Sequence, residues 1–460
     1  MAVDGCRSQA RNNVKRGGIR MRKKRWTWTA SAAAALVLAG CGTAAQGGSS
    51  GSQAGQAAGN ADSKPVVTLT FGFWGDAKEE AVTLAAVKAF EKAYPNIHIQ
   101  TEFGGPFNQY FTKLSTEVAG GNAPDIMQMD YDYIEAYAKE GQLLNLKGAK
   151  GINLSTISPS VLKSGYIDGG LYGIPNAIDC YSMIYDQNAF AKAGYHGQRV
   201  SWGQWAAILE KVHKLTGKWA EDDDENWQTF GYWARQQGQH LYNASGTKLG
   251  FAQSTLVSYL NYWANLRREG AVPPGTVTSL IKQAADPTDP MVPGKSLAEM
   301  TWDAYIVSFQ SEMTKPLGMA LPPYQPGGPE GLYLKPSQFW SIYSKTKYPQ
   351  QAELFVNFLL NNVSAGKALG LDRGIPVSST VRAALQKAGL SRPEQQEFTL
   401  TDQALKVATP IDPPPPQPNK EIDQDFGNMV QAVQYGKETA QQGAEQFMQE
   451  ANDLLQNGGE

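Results

Sequence analysis

Between residues 67 and 129 the chain switches repeatedly between two hydrophobic periods, and that alternation constrains the fold more than any other feature. Val67, Leu69, Phe71 and Phe73 alternate with small or polar residues, as a strand does. Over residues 79–94, Val82, Ala86, Ala89, Phe90 and Ala93 recur at helical spacing, with Glu79 and Glu80 in the first turn and Pro95 as the stop. Residues 97–103 alternate again. Such a strand, helix, strand unit argues for a parallel sheet with helices packed on its faces. The pattern continues with a predicted helix over 110–118, a break at Gly120-Gly121-Asn122-Ala123-Pro124, a short buried strand over 125–129 and a helix over 133–139. In open sheets of this kind ligands sit outside the carboxyl ends of the strands, which puts Trp74, Asp76, Asp130 and Tyr131 where a ligand would be.

Ahead of this body, Arg22-Lys23-Lys24-Arg25 flanks an apolar run over residues 26–38 that is too short to span a bilayer. Leu38-Ala39-Gly40-Cys41 resembles the bacterial lipoprotein signal, which implies cleavage before Cys41 and acylation of its thiol and new amino terminus. Residues 1–40 are thus read as a signal peptide; Met21, directly before the basic cluster, leaves open that residues 1–20 are an upstream extension. Residues 42–64 are almost wholly Gly, Ala, Ser and Gln, a composition that behaves as a flexible tether, so the lipidated Cys41 and tether fill 41–64. The long Gly and Ser tether favours a Gram-positive cell surface over a periplasm.

The body of about 395 residues exceeds what one core supports, so two lobes are expected. With 41 basic and 43 acidic side chains, a net charge of -2, the chain has no electrostatic footprint for nucleic acid. Once Cys41 is acylated, Cys180 is the thiol of the mature chain, which excludes a disulfide framework, and the histidines show no zinc spacing. The acidic run 221–225 reads as a solvated loop, lacking the glycine and terminal glutamate of a calcium loop. No metal or cofactor is expected. Phosphate-cradling glycine loops, His-Glu-x-x-His and Gly-x-Ser-x-Gly are missing, and Ser160-Val161-Leu162-Lys163 matches a Ser-x-x-Lys string without its partner motifs.

Phe71-Gly72-Phe73-Trp74-Gly75, Ala89-Phe90-Glu91-Lys92-Ala93-Tyr94-Pro95-Asn96-Ile97, Gly120-Gly121-Asn122-Ala123-Pro124-Asp125-Ile126, Leu171-Tyr172-Gly173-Ile174-Pro175 and Met183-Ile184-Tyr185-Asp186 together resemble the extracellular solute-binding proteins (family 1) of bacterial carbohydrate ABC importers. The resemblance continues through Ser201-Trp202, residues 337–360 and Arg373-Gly374-Ile375-Pro376-Val377. It implies an α/β fold of the two-lobe periplasmic-binding-protein type (type II), with the ligand enclosed in a cleft and the lobes closing by hinge motion. It further implies a first lobe of residues 65–180 plus 330–395 and a second of 181–329 plus 396–455, with a crossing near Cys180 and a return through the Pro- and Gly-rich stretch 322–329. The partners it implies are a carbohydrate ligand, the permease subunits of the importer and the membrane reached through the lipid anchor, with the receptor a monomer.

Aromatic side chains argue for a sugar, because sugars expose flat C-H patches between hydroxyls. Trp74, Trp233, Trp302 and Trp340 sit where elements should end at the cleft, and Trp74 and Trp302 rank first because Asp76 and Asp303 stand beside them. Asn176 and Asp179 follow crossover segments and suit sugar hydroxyls, while Arg373 reaches either the cleft or an inter-lobe ion pair. The alternatives are a non-sugar solute such as a polyol phosphate, a polyamine or a peptide, and a secreted carbohydrate-active enzyme, for which no carboxylate pair stands out.

Overall fold

The computed structural model describes residues 65–457 except 282, 283 and 286, so the signal segment and Cys41 lie outside the described residues. The first half contains β1 (Val67–Phe73), α1 (Ala77–Ala93), β2 (Ile97–Phe103), α2 (Phe107–Ala119), β3 (Ile126–Met129), α3 (Tyr131–Lys139), β4 (Ile174–Asp186), α4 (Trp202–Thr216), α5 (Trp227–Arg235) and α6 (Gln253–Arg268). It is followed by β5 (Ala298–Trp302), β6 (Leu317–Ala320), β7 (Leu334–Ile342), α7 (Pro349–Asn361), β8 (Ile375–Pro376), α8 (Arg392–Val407), α9 (Asn419–Gln434) and α10 (Ala440–Asn457).

β1 pairs in parallel with β2 and β3, as the alternating pattern requires. The sheet is nonetheless mixed, in the order β8-β4-β7-β3-β1-β2, because β7 and β8 return antiparallel to their neighbours. Its core forms where the inward side chains of β1 meet α1 and α7: Phe71 packs edge-on to Trp340 and Phe355, and Phe90 to Phe355 and Phe358. Burying one such phenylalanine stabilises the fold by about 1.5–3 kcal/mol.

β4 joins this sheet to a second one. Residues 174–180 pair with β7, whereas residues 181–186 pair with β5 and β6. One strand therefore changes partners between Cys180 and Tyr181, and Leu334, at the start of β7, lies opposite Cys180. The Pro-rich stretch before β7 lies on α4 and α5: the Tyr232 hydroxyl donates to the Pro323 carbonyl at 2.8 Å, and the Trp202 amide to Tyr324 at 3.2 Å. The carboxyl-terminal α10 buries Ala444, Phe447 and Ala451, and Phe447 packs against Phe426 of α9 and Trp227 of α5.

The acidic run 221–225 corrects the sequence reading, since all five side chains are at most 6% exposed. A solvated loop needs no partners, but this one has them. The Trp205 indole donates to both Glu221 oxygens at 3.0 and 3.1 Å, Arg267 of α6 pairs with Asp223 and Glu225, and Asp224 accepts the Met300 amide of β5 at 2.8 Å. Among the described residues no helix is long and apolar enough to cross a membrane.

Candidate functional site

The site begins at the partner change in β4, where residues from both sheets converge. Asp130 follows β3 and caps α3, its carboxylate accepting the Asp132 amide at 2.9 Å; that cap starts the helix two residues earlier than the apolar spacing indicates. Asp179, on β4, accepts the Ser337 hydroxyl of β7 at 2.8 Å. Burial raises both carboxyls, and the Lys335 ammonium opposes the rise at each. The same ammonium lies over the Trp302 ring, 5.5 Å from its centroid. Trp302 is half-buried at the end of β5 and meets Tyr181 at 5.6 Å and Tyr333 at 6.5 Å. Gly374 has φ +92°, and a Cβ there would lie 2.5 Å from the Ser337 hydroxyl and 3.2 Å from Asp179, so the Arg-Gly-Ile-Pro segment needs its glycine to approach this cluster.

A strap formed by residues 409–412 crosses beside the cluster. Arg235, 5.1 Å from the Tyr333 ring centroid, pairs with Asp412 and donates to the Thr409 hydroxyl at 2.7 Å and the Pro410 carbonyl at 2.8 Å. His240 joins Asp412 at 2.8 Å. The Tyr131 hydroxyl, from α3, donates to the Asp412 carbonyl, and Ile411 packs on the aromatic cluster that contains Tyr131 and Phe339. Sequence reading missed Tyr333, Lys335, Ser337, Arg235 and Asp412. The proline run 413–416 marks a stiff connector but gives no sign of what the residues before it touch.

Asp130, Tyr131, Asp179 and Trp302 are thus brought together. Asn176 lies three residues before Asp179 on β4, its side-chain amide donating to Gln338 at 3.0 Å while its Oδ1 is buried without a partner. The other candidates are placed elsewhere. Trp340 is 1% exposed in the core against Phe71, and Trp233 packs among Trp202, Tyr259 and Tyr262. Trp74 is buried against Phe107, Tyr110 and Phe111 at 5.4–5.6 Å. Asp303 is fully buried and braces the strand change, accepting the Cys180 amide at 2.9 Å and the Ala304 amide at 3.1 Å. Arg373 reaches α1 and the end of β1: it donates to the Trp74 carbonyl at 2.9 Å and to Thr83 at 3.0 Å, and pairs with Glu79 at 3.3 Å.

Asp76 is exposed and forms a capping box with Glu79 at the start of α1. Asp76→Ala is expected to cost about 1 kcal/mol of stability through the lost cap, with ligand affinity unchanged. Denaturant titration beside a binding isotherm checks both halves of that statement.

A third carboxyl, Glu397 of α8, lies near Asp179 and Asp303. Burial, reinforced by Asp179 and Glu394, raises it from 4.5 to about 8. In that window the folded chain holds a proton that the unfolded chain has lost, so this group subtracts stability as pH rises. Glu397→Gln is expected to be more stable than the parent by about 1 kcal/mol or more near pH 8, and nearly equal to it near pH 5. Unfolding curves at the two pH values test the sign; a variant weaker than the parent near pH 8 contradicts it.

Comparison with known proteins agrees with this architecture. Residues 85–394 match the family model of the bacterial extracellular solute-binding proteins. An extracellular solute-binding protein family 1 from Alicyclobacillus acidocaldarius has a solved structure that is 86% identical, with a TM-score of 0.82 over 86% of this chain and 100% of that one. An oligogalacturonide-binding protein from Yersinia enterocolitica is 26% identical with a TM-score of 0.72, over 85% of this chain and 99% of that one. The maltodextrin-binding protein MdxE of Bacillus subtilis is 23% identical over 312 residues, 65% of this chain and 70% of its own length. The chain covers 36% of the length of an ABC transporter extracellular-binding protein from Pyrococcus horikoshii, and as little as 18% of a maltooligosaccharide ABC transporter solute-binding lipoprotein from Streptococcus pneumoniae. The matched residues extend across both sheets and through the strand that links them, and the chain belongs to the bacterial extracellular solute-binding protein family.

Proposed function

We propose that this chain is the receptor of an ABC importer, lipid-anchored at Cys41, which captures a sugar or oligosaccharide between two lobes and delivers it to the membrane permease. In this reading the lobes comprise residues 65–180 plus 330–395 and 181–329 plus 396–455, and the receptor works as a monomer on the outer face of the cell membrane. The observation that carries the proposal is the meeting of aromatic faces and hydroxyl-seeking groups at the strand change: Trp302, Tyr333 and Tyr131 beside Asp130, Asp179 and Lys335. Aromatic faces suit sugar C-H patches and carboxylates suit sugar hydroxyls. The named relatives bind maltodextrin and oligogalacturonide, which supports the cargo class.

Closure needs no chemistry. Ligand that touches both lobes favours the closed form by its differential affinity for it, and by no more than that. The test is calorimetric titration with maltooligosaccharides and oligogalacturonides, with polyamines and peptides as controls, followed by analysis of the sugar after prolonged incubation. Saturable binding of one sugar class with the sugar recovered intact is the expected result. Product formation supports a carbohydrate-active enzyme instead, and a response confined to a charged control moves the cargo to another solute class.

A further inference from the structure

The buried acidic run contains carboxylates of two kinds. Asp223 and Glu225 share the Arg267 guanidinium, Glu221 accepts from Trp205 and Asp224 from the Met300 amide. Asp222 differs. It is 3% exposed, and neither of its carboxylate oxygens has a hydrogen-bond donor in bonding geometry. Glu299, on β5 opposite Ile184, is 8% exposed with its Oε2 atom likewise unpartnered. Among the described residues no basic side chain pairs with either. Asp289, fully buried, completes the group: its two oxygens accept the Met291 and Ala285 amides at 2.7 Å, which fixes the carboxylate in place. One oxygen from each of the three lies within 4.8 Å of the others, and the hydroxyl of Ser296, also buried without a partner in bonding geometry, stands beside Asp222.

From this convergence we propose that Asp222, Asp289 and Glu299 form a calcium-binding site in the part of the chain built on β5 and β6. Carboxylates buried this close repel one another, and the desolvation of Asp222 and Glu299 is offset by a cation or avoided by keeping protons. The donor set decides the cation. All three ligands are hard oxygens and neither histidine nor cysteine belongs to the group, which disfavours zinc and the softer metals. Calcium holds oxygens at about 2.3–2.6 Å, so oxygens on its shell lie up to about 5 Å apart, which accommodates three oxygens within 4.8 Å of one another. Magnesium demands a tighter octahedron and gives up its waters reluctantly, so a set of three buried carboxylates suits it less.

The position gives the site a consequence. Glu299 precedes Trp302 by three residues on the same strand, and Asp289 belongs to the loop that leads into that strand. A cation joining them to Asp222 ties that loop and the turn after α4 to β5. It thereby fixes the strand whose end carries the half-buried Trp302. The inference does not depend on the nature of the transported cargo.

Metal analysis of the purified protein, followed by melting of chelator-treated protein with and without added cation, tests the assignment. The expected result is one calcium per chain, removed by chelator, with the melting temperature falling on removal and recovering by about 5 °C or more in about 1 mM calcium chloride, and recovering much less in magnesium chloride. Asp222→Asn with Glu299→Gln is expected to melt at the same temperature with calcium or chelator while keeping the parent's circular dichroism. Should that variant fail to fold, the stoichiometric calcium of the parent and its reversible effect on melting decide the matter without it. Absence of bound metal, together with a melting temperature indifferent to both cations, overturns the proposal in favour of carboxyls that share protons; an equal response to magnesium overturns the choice of calcium.

Discussion

Arg267→Ala is expected to lower the unfolding free energy by about 3–5 kcal/mol, because it strands two buried carboxylates together. The guanidinium lies 2.5 Å from Asp223 and 2.7 Å from Glu225, and both acids have fully buried side chains. Gln434 of α9 also donates to each at 3.0 Å, but a neutral amide does not cancel charge. Even with Arg267 present, burial and Asp223 hold Glu225 up at about 8, so the pair has little margin. Without the cation the two acids must take up protons or open the turn to water. The loss should therefore deepen as pH rises through neutrality, since the folded chain then pays to keep protons that the unfolded chain has released. Combining Arg267→Ala with Asp223→Asn and Glu225→Gln removes the stranded charge and is expected to restore most of the lost stability. Urea unfolding of the parent, the single variant and the triple variant separates this account from a packing one: if the triple variant is no more stable than Arg267→Ala alone, the missing arginine stem rather than uncompensated charge is the cause.

The turn that carries these acids also shows where sequence reading stops. Periodicity located β1, α1 and β2 because each has one face against a core, and burial repeats with the element's own period. The run 221–225 has no period. Five consecutive acids read as solvated, and what buries them is distant in sequence: Trp205 on α4, Arg267 on α6, and the Met300 amide on β5. The tryptophans show a related ambiguity. Trp74, Trp302 and Trp340 all belong to strands or strand ends, yet Trp340 sits in the middle of an antiparallel pairing with Gln128 and Ile174, with α7 covering it, whereas β5 stops at Trp302. The sequence around each looks alike; which neighbour pairs with it depends on a return strand more than 150 residues from its partner on β4. Aspartates show a different ambiguity. A carboxylate directly after a strand suits a ligand, but it equally suits the start of the next helix, and Asp76 and Asp130 both serve as caps.

Trp302→Ala is expected to weaken sugar binding by about 30-fold, corresponding to roughly 2 kcal/mol for loss of an aromatic anchor. The expectation rests on the half-exposed state of the ring and on its surroundings. Tyr333 and Tyr181 hold it from two sides, and Lys335 lies over one face, 5.5 Å from the centroid. A platform braced in this way loses little freedom when a sugar ring arrives, so the contact is made at low entropic cost. The matching change in the core, Trp340→Ala, is expected to cost about 3–5 kcal/mol of stability, because the cavity left beside Phe71 has no solvent to fill it. The contrast supplies the decision. If Trp302→Ala loses stability on the scale of Trp340→Ala while its affinity per folded molecule is unchanged, Trp302 belongs to the core and the sugar contact must be sought along the Tyr131 and Tyr333 side of the strap. Lys335→Met then distinguishes the kind of sugar. An acidic oligosaccharide should lose more affinity than a neutral one when that charge is removed, because Asp130 and Asp179 would face the ligand's carboxylates without the intervening cation.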